Sequence, residues 1–483
     1  MNNNNNNNNN NTQKQKTGKT SILKSLSVTI FANGFGFIVS ALTTFLLPII
    51  LNDGDYGYWH LYLLYSGYTL YFSLGLTDGI YLRYGGYDME NINKRLISGQ
   101  FWLLVISNII INLAMIIYCF LTFSDRASWL MVVFAAIAGL ITVPRSLITL
   151  LMQATNHFED NARVIILERV IFVIGIVVLF IARDAKVYHF VLVDIAGKLL
   201  ATLYTYFKYP YLIFSKLLTF KKNLREFISH IKIGIHIVLA SLSSILTLNI
   251  LRHAIVAKWG VESFGNVSLS ISISNMFVVF INAVAIVLFP TLRRVKQEDL
   301  RKLYKQMETI FISLMGLILF FFYPFRLVLL WILPNKAAGI SYLSLLFPLF
   351  LYEGKNSLLL STYFKVLRKE KILLFVNAIT ILISYILTFF ITSINLAVLS
   401  ILIVQIFRAI LGEILLSRII DYRPFKRIFL ELFLTITFLI CNNYIGDWKG
   451  MLAYGVCYIV YFMIDRRQIK KSFTLFKTAK GVN

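Results

Sequence analysis

Asp194 and Lys198 stand four residues apart in an otherwise apolar stretch. On a helix that spacing puts both on one face, where they can pair. Other ionisable residues also sit deep in apolar runs. The basic ones are Arg145, Arg169, Lys355 and Arg408; the acidic ones include Asp78, Glu168, Glu353, Glu413 and Glu431. Arg145 directly follows Pro144, where a helix loses a backbone bond and can kink. Glu168 and Arg169 are adjacent and point about 100° apart on a helix, so they cannot share a partner. Such groups are costly in hydrocarbon and normally face a wet cavity or a counter-charge. The expectation is that Arg145, Arg169, Lys198, Lys355 and Arg408 form a cationic lumen. Asp78, Asp194, Glu353 and Glu413 are candidates for binding a coupling Na+ or H+.

Catalytic patterns are missing. No Gly-x-x-x-x-Gly-Lys-Ser/Thr loop occurs, and none of the histidines at 60, 157, 189, 230, 236 and 253 falls in a His-Glu-x-x-His spacing. Asp53-Gly54-Asp55 could hold a divalent ion, as in a membrane glycosyltransferase. With Asn52 in front, it also reads as an acidic turn. Cys119, Cys441 and Cys457 have no metal-ligand spacing and read as small buried hydrophobes. No metal and no bound cofactor is expected.

The elements that carry these residues follow from composition. Of 483 residues, 58% are hydrophobic and only 14% charged, against about 25% charged in soluble domains. Mean hydropathy is +0.72. A water-soluble fold cannot bury that much apolar surface, so lipid must solvate much of the chain. The fold class is therefore all-α integral membrane. About fourteen candidate spans of about 17 to 26 residues can be marked. The stretch from Leu26 to Leu51 reads as the first span, and Leu26, Trp59, Gly99, Trp129, Ala162, Val187 and Phe227 begin the first seven.

The net charge of +24 does not point to nucleic acid. Basic residues fill alternate loops, such as 208–232, 293–305 and 365–371, while the intervening loops are poor in Lys and Arg. That alternation is the positive-inside pattern. It predicts both termini on the cytoplasmic side. The expected organisation is an Asn-rich disordered tail (1–24), a lobe of six spans (25–207), a basic linker (208–230), a second lobe of six (231–418), two further spans (419–464) and a basic tail (465–483). Tyr56-Gly57 and Phe264-Gly265 each stand at the mouth of a helix, which suggests that the lobes are repeats. The aromatic run Tyr56, Tyr58, Trp59, Tyr62, Tyr65, Tyr68, Tyr71 and Phe72 reads as an interfacial belt, with stacking on sugars as the alternative.

Asp55-Tyr56-Gly57-Tyr58-Trp59 and Leu74-Gly75-Leu76-Thr77-Asp78-Gly79, continuing through Gly86, carry a family resemblance together with the two-lobe architecture. The chain resembles a Wzx-type polysaccharide flippase of the MOP superfamily, which also includes lipid II flippases and MATE drug exporters. The resemblance implies transport of an undecaprenyl-pyrophosphate-linked oligosaccharide across a bacterial cytoplasmic membrane, with polysaccharide assembly proteins as further partners. One departure stands out: lipid II flippases carry arginines in their first helix, and none lies between Leu26 and Leu51. No binding residue is carried over from the family. A MATE-like antiporter and a glycosyltransferase remain the alternatives.

Overall fold

The computed structural model describes residues 31–32, 34–292 and 297–479. The tail read over 1–24, the start of the first span, and Arg293, Arg294 and Lys296 of a basic loop lie outside the described residues. Those that are described form helices and short connections, with no strand.

The chain divides into two units, at Leu239/Ala240. The first contains α1 (Gly34–Ile50), α2 (Asp53–Thr69), α3 (Leu76–Tyr84), α4 (Lys94–Thr122), α5 (Arg126–Ala154), α6 (Phe158–Ile181), α7 (Val187–Lys208) and the start of α8 (Phe220–Leu292). The second contains the rest of α8, α9 (Gln297–Ile332), α10 (Ala337–Leu346), α11 (Leu349–Gly354), α12 (Thr362–Val366), α13 (Glu370–Phe390), α14 (Ile394–Ile419), α15 (Phe425–Ile440) and α16 (Asp447–Ala479). Between α11 and α12, residues Lys355–Ser361 form a π-helical turn. Such wide turns are rare and gather at functional sites.

Nine described helices are long and apolar enough to cross a bilayer, and ten if the pair Pro334–Leu346 and Leu349–Val366, bent by 53°, is one broken span. At about 1.5 Å per residue α8 would be far longer than a membrane is thick. Gly260 (φ 79°, ψ 179°) breaks it into two. Counting α8 as two and the bent pair as one, and adding α1, α2 and α16, the described residues give about the fourteen helices expected.

Burial confirms the solvent. Outward-facing Ile109, Ile110 and Leu113 on α4, and Ile174, Val178 and Ile181 on α6, are large apolar residues more than two-fifths exposed. Only lipid accommodates such faces. Side-chain caps start the helices at the connections: Asn52 accepts from Asp55 N (2.7 Å), Asn93 from Leu96 N (3.1 Å) and Asp125 from Ser128 N (2.7 Å).

Two differences from the sequence expectation have clear causes. The second span is not one helix. It breaks at Leu74 (φ 51°) and Gly75 (φ 86°), and α3 restarts from there. The break lets α3 meet α8 backbone to backbone. A Cβ on Gly75 would lie 2.6 Å from Ile235 N, and one on Gly79 would collide with the His230 carbonyl. The stretch read as a linker over 208–230 is also helical from Phe220 onward. It is held by α4, where Gln100 Nε2 donates to Asn223 O (3.0 Å) and Trp102 Nε1 to Ile213 O (3.1 Å). In the first unit α5 packs against α2, α3, α4 and α7. Its small residues Ala135, Ala136, Ala138 and Gly139 permit that close approach.

Candidate functional site

The buried charges form separate clusters, each inside one unit. In the first unit α7 presents Asp194 and Lys198 one turn apart, and Lys198 Nζ lies 2.5 Å from Asp194 Oδ2. The Tyr62 hydroxyl, from α2, donates to the same carboxylate and accepts from Lys198 Nζ (3.1 Å). Arg145, on α5 just past Pro144, pairs with Glu168 of α6 (2.5 Å) and donates to the Lys198 carbonyl (3.3 Å). Two cations thus meet two carboxylates, and the network carries no net charge. Arg169 is half-buried and makes no ion pair with a described residue. Asp78 stands in the first turn of α3, and the hydroxyl of the neighbouring Thr77 donates to Ser73 Oγ (3.2 Å). A carboxylate is favourable at that end of a helix.

Tyr56, Trp59, Tyr62 and Tyr65 are all buried. The interfacial belt expected for this run is therefore incorrect for these four. Their three-residue spacing lays them along the inner face of α2, with Trp59 stacked on Phe172 (6.0 Å between centroids, 8° between planes). Asp53 and Asp55 lie in the first turn of α2, and Asn52 Nδ2 donates to Asp55 Oδ2 (2.9 Å). Asn52 caps this helix, and the acidic pair fills its first helical turn rather than a loop turn.

In the second unit Lys355 opens the π turn and is 1% exposed. Three carboxylates converge on it. Glu413 of α14 lies at 2.5 Å, Glu308 of α9 at 3.7 Å, and Glu431 of α15 is in direct contact. Lys355 is therefore outnumbered by acid, and its charge is spent inside the protein. Glu308 also accepts from the Tyr422 hydroxyl (2.9 Å). Sequence reading did not single out Glu308. The signal was present in α9, where Tyr304, Glu308, Ile312, Met315, Leu319 and Phe322 form one buried stripe at helical spacing. Glu431 lies similarly between Leu430 and Leu434 of α15, all buried.

Arg408 of α14 is held differently. Its guanidinium donates to Asn377 Oδ1 (3.0 Å), Gln405 Oε1 (3.5 Å) and Ser244 Oγ (2.6 Å). All three partners are neutral, and Glu353 acts on it only through space. Arg408 is thus a buried cation with no carboxylate bonded to it. Among the described residues no group of His, Cys, Asp and Glu has the arrangement of a metal site.

No protein-family model and no curated protein matches the chain by sequence. Solved structures do. A lipid II flippase, MurJ, in an inward closed conformation superposes with a TM-score of 0.66 at 12% identity, covering 91% of this chain and 99% of that one. An inward-facing multidrug resistance MATE family transporter of the MOP superfamily gives 0.63 at 14% identity, over 83% and 98%. A MOP superfamily transporter from Pyrococcus furiosus, described as having a binding pocket of reversed polarity, gives 0.53 at 13% identity, over 83% and 96%. This chain is a multi-pass membrane protein with the fold of the MOP superfamily transporters.

Proposed function

We propose that the protein is a flippase that moves an undecaprenyl-pyrophosphate-linked oligosaccharide from the cytoplasmic to the outer leaflet of a bacterial cytoplasmic membrane by alternating access, with both termini cytoplasmic. The observation that carries this reading is the likeness to the lipid II flippase over nearly the whole of both chains. Buried cations support it. A pyrophosphate needs fixed positive charge inside the bilayer, and an oligosaccharide needs polar partners there. Arg408 and Arg169 are the cations best suited, because neither is bonded to a described carboxylate. Arg145 and Lys198 would stabilise the first unit and offer substrate only what their acids leave over. This reading gives Lys355 no such role, because Glu308, Glu413 and Glu431 already surround it.

The test is leaflet exchange in proteoliposomes, with a fluorescent lipid-linked oligosaccharide and a quencher outside. Protein-dependent exchange is expected, and Arg408→Gln should slow it by about tenfold or more, the effect of losing one charge-assisted hydrogen bond to an anion. A cation antiporter is the second reading, favoured by the MATE likeness and the acid excess around Lys355. Absence of exchange across several glycans and imposed gradients, together with export of cationic drugs, would replace the first reading with the second.

A further inference from the structure

The cluster around Lys355 does not balance as drawn. Glu308, Glu413 and Glu431 are each at most 2% exposed and face a single ammonium. Three carboxylates against one cation leave two negative charges in a region without solvent. Burying uncompensated charge there is prohibitive, so something positive must complete the set. The next charged groups supply only part of it. Arg427 of α15 and Lys426 (3.6 Å) share the single carboxylate of Asp465, on α16, so that group keeps one spare positive charge, which Arg427 exerts on Glu308 through space. One negative charge is left to be met. The remaining titratable neighbours are Tyr304, Tyr352, Tyr363 and Tyr422, which are neutral.

Geometry shows where the missing charge sits. Oε1 of each of the three glutamates receives no hydrogen bond. Glu308 and Glu413 both converge on the Lys355 ammonium, at 3.7 and 2.5 Å. Two ionised carboxylates have only acceptors and repel when brought together, whereas one that carries a proton can donate to the other. Tyr304, fully buried and in electrostatic contact with all three acids, has a hydroxyl with no partner. A metal ion is not favoured, because the Lys355 ammonium already occupies the point on which the acids converge.

A cleft of about 250 Å³ also lies beside the cluster, lined by Arg301, Lys305, Tyr422, Arg423, Lys426 and Arg427, among others. Tyr422 therefore touches the cleft on one side and Glu308 on the other, through its hydroxyl.

We propose that the Glu308–Glu413 pair, framed by Lys355 and Glu431, is a proton-binding site that exchanges one proton with the cleft through Tyr422. On loading, the Tyr422 O–H bond breaks as its proton passes to a Glu308 oxygen, and the phenol oxygen takes a replacement from a protonated water in the cleft. Tyr422 is left unchanged, the pair gains one O–H bond, and release runs the same steps backwards. The site stands on this geometry alone; its use to drive transport rests on the function proposed above.

The experiment is infrared difference spectroscopy on the full chain in lipid nanodiscs, without substrate, with pH steps in the presence and absence of Na+. A protonated-carboxyl band that titrates with pH and ignores Na+ is expected. Glu308→Gln and Glu413→Gln should each remove it. Lys355→Met should strengthen it, since more protons must then replace the lost ammonium. Tyr422→Phe should keep the band and slow its hydrogen–deuterium exchange by about tenfold or more, the usual scale for losing a proton relay. If the variants do not fold, the wild-type band decides. Its absence at every pH, its displacement by Na+, or its survival in both folded glutamine variants would overturn the proposal. Because no substrate is used, a failure here is distinct from a failure to flip lipid.

Discussion

At the scale of single residues, the interior charges differ by what neutralises them. Asp194 and Lys198 form a closed pair with Tyr62, and both are largely buried. Asp194→Asn leaves the ammonium facing a neutral amide, at a cost of roughly 3 kcal/mol. A lowered thermal unfolding midpoint in detergent is the expected outcome. Adding Lys198→Met should recover most of that loss, because the double variant has no orphan charge. A double variant no more stable than Asp194→Asn alone would mean that the two residues act separately. The sequence made this pair legible, since i,i+4 spacing is a local signal. It could not show that Lys355 meets Glu308, Glu413 and Glu431, which lie 47, 58 and 76 residues away in the chain and come together only through packing of α9, α14 and α15.

At the scale of elements, the α3–α8 crossing depends on having no side chain where the backbones touch. Gly79→Ala pushes a methyl into the His230 carbonyl, a backbone atom that cannot swing aside. The expected cost is about 1–3 kcal/mol, read as a lower unfolding midpoint. The same substitution at Gly67, which faces open space, should change little. Arg83 reinforces this crossing by pairing with Glu226 (2.5 Å). Hydropathy counts spans but is blind to a break such as Leu74–Gly75, which comes from a positive-φ turn and a close approach. The helix from Phe220 reads as a linker for a different reason: its basic residues outweigh the face, including buried Asn223, that packs on α4.

For the whole molecule, hydropathy and loop charge carried the fold class, because a bilayer imposes both on any chain that crosses it repeatedly. The proposed orientation, with both termini cytoplasmic, rests on the same loops and can be checked directly. In a cysteine-free background, Lys222→Cys should react with an impermeant thiol reagent only from the cytoplasmic side, and Ser124→Cys only from outside. The reverse pattern would invert the proposed direction of transport. The proposed substrate is not legible in this way, since composition does not mark the side chains that would recognise a sugar.

The π turn at Lys355–Ser361 has one more effect. A π turn holds an extra residue compared with the α turn it replaces, so everything after it is displaced in phase by about 100°. Lys355 therefore points to its acids while Tyr363 and Phe364, both fully buried, keep their own packing. Removing one residue from 356–361 would restore a regular helix and put the two halves out of step. The helix can hold the lysine and the aromatic pair together only because it is locally overfull, and that spare residue works like a vernier between two gears.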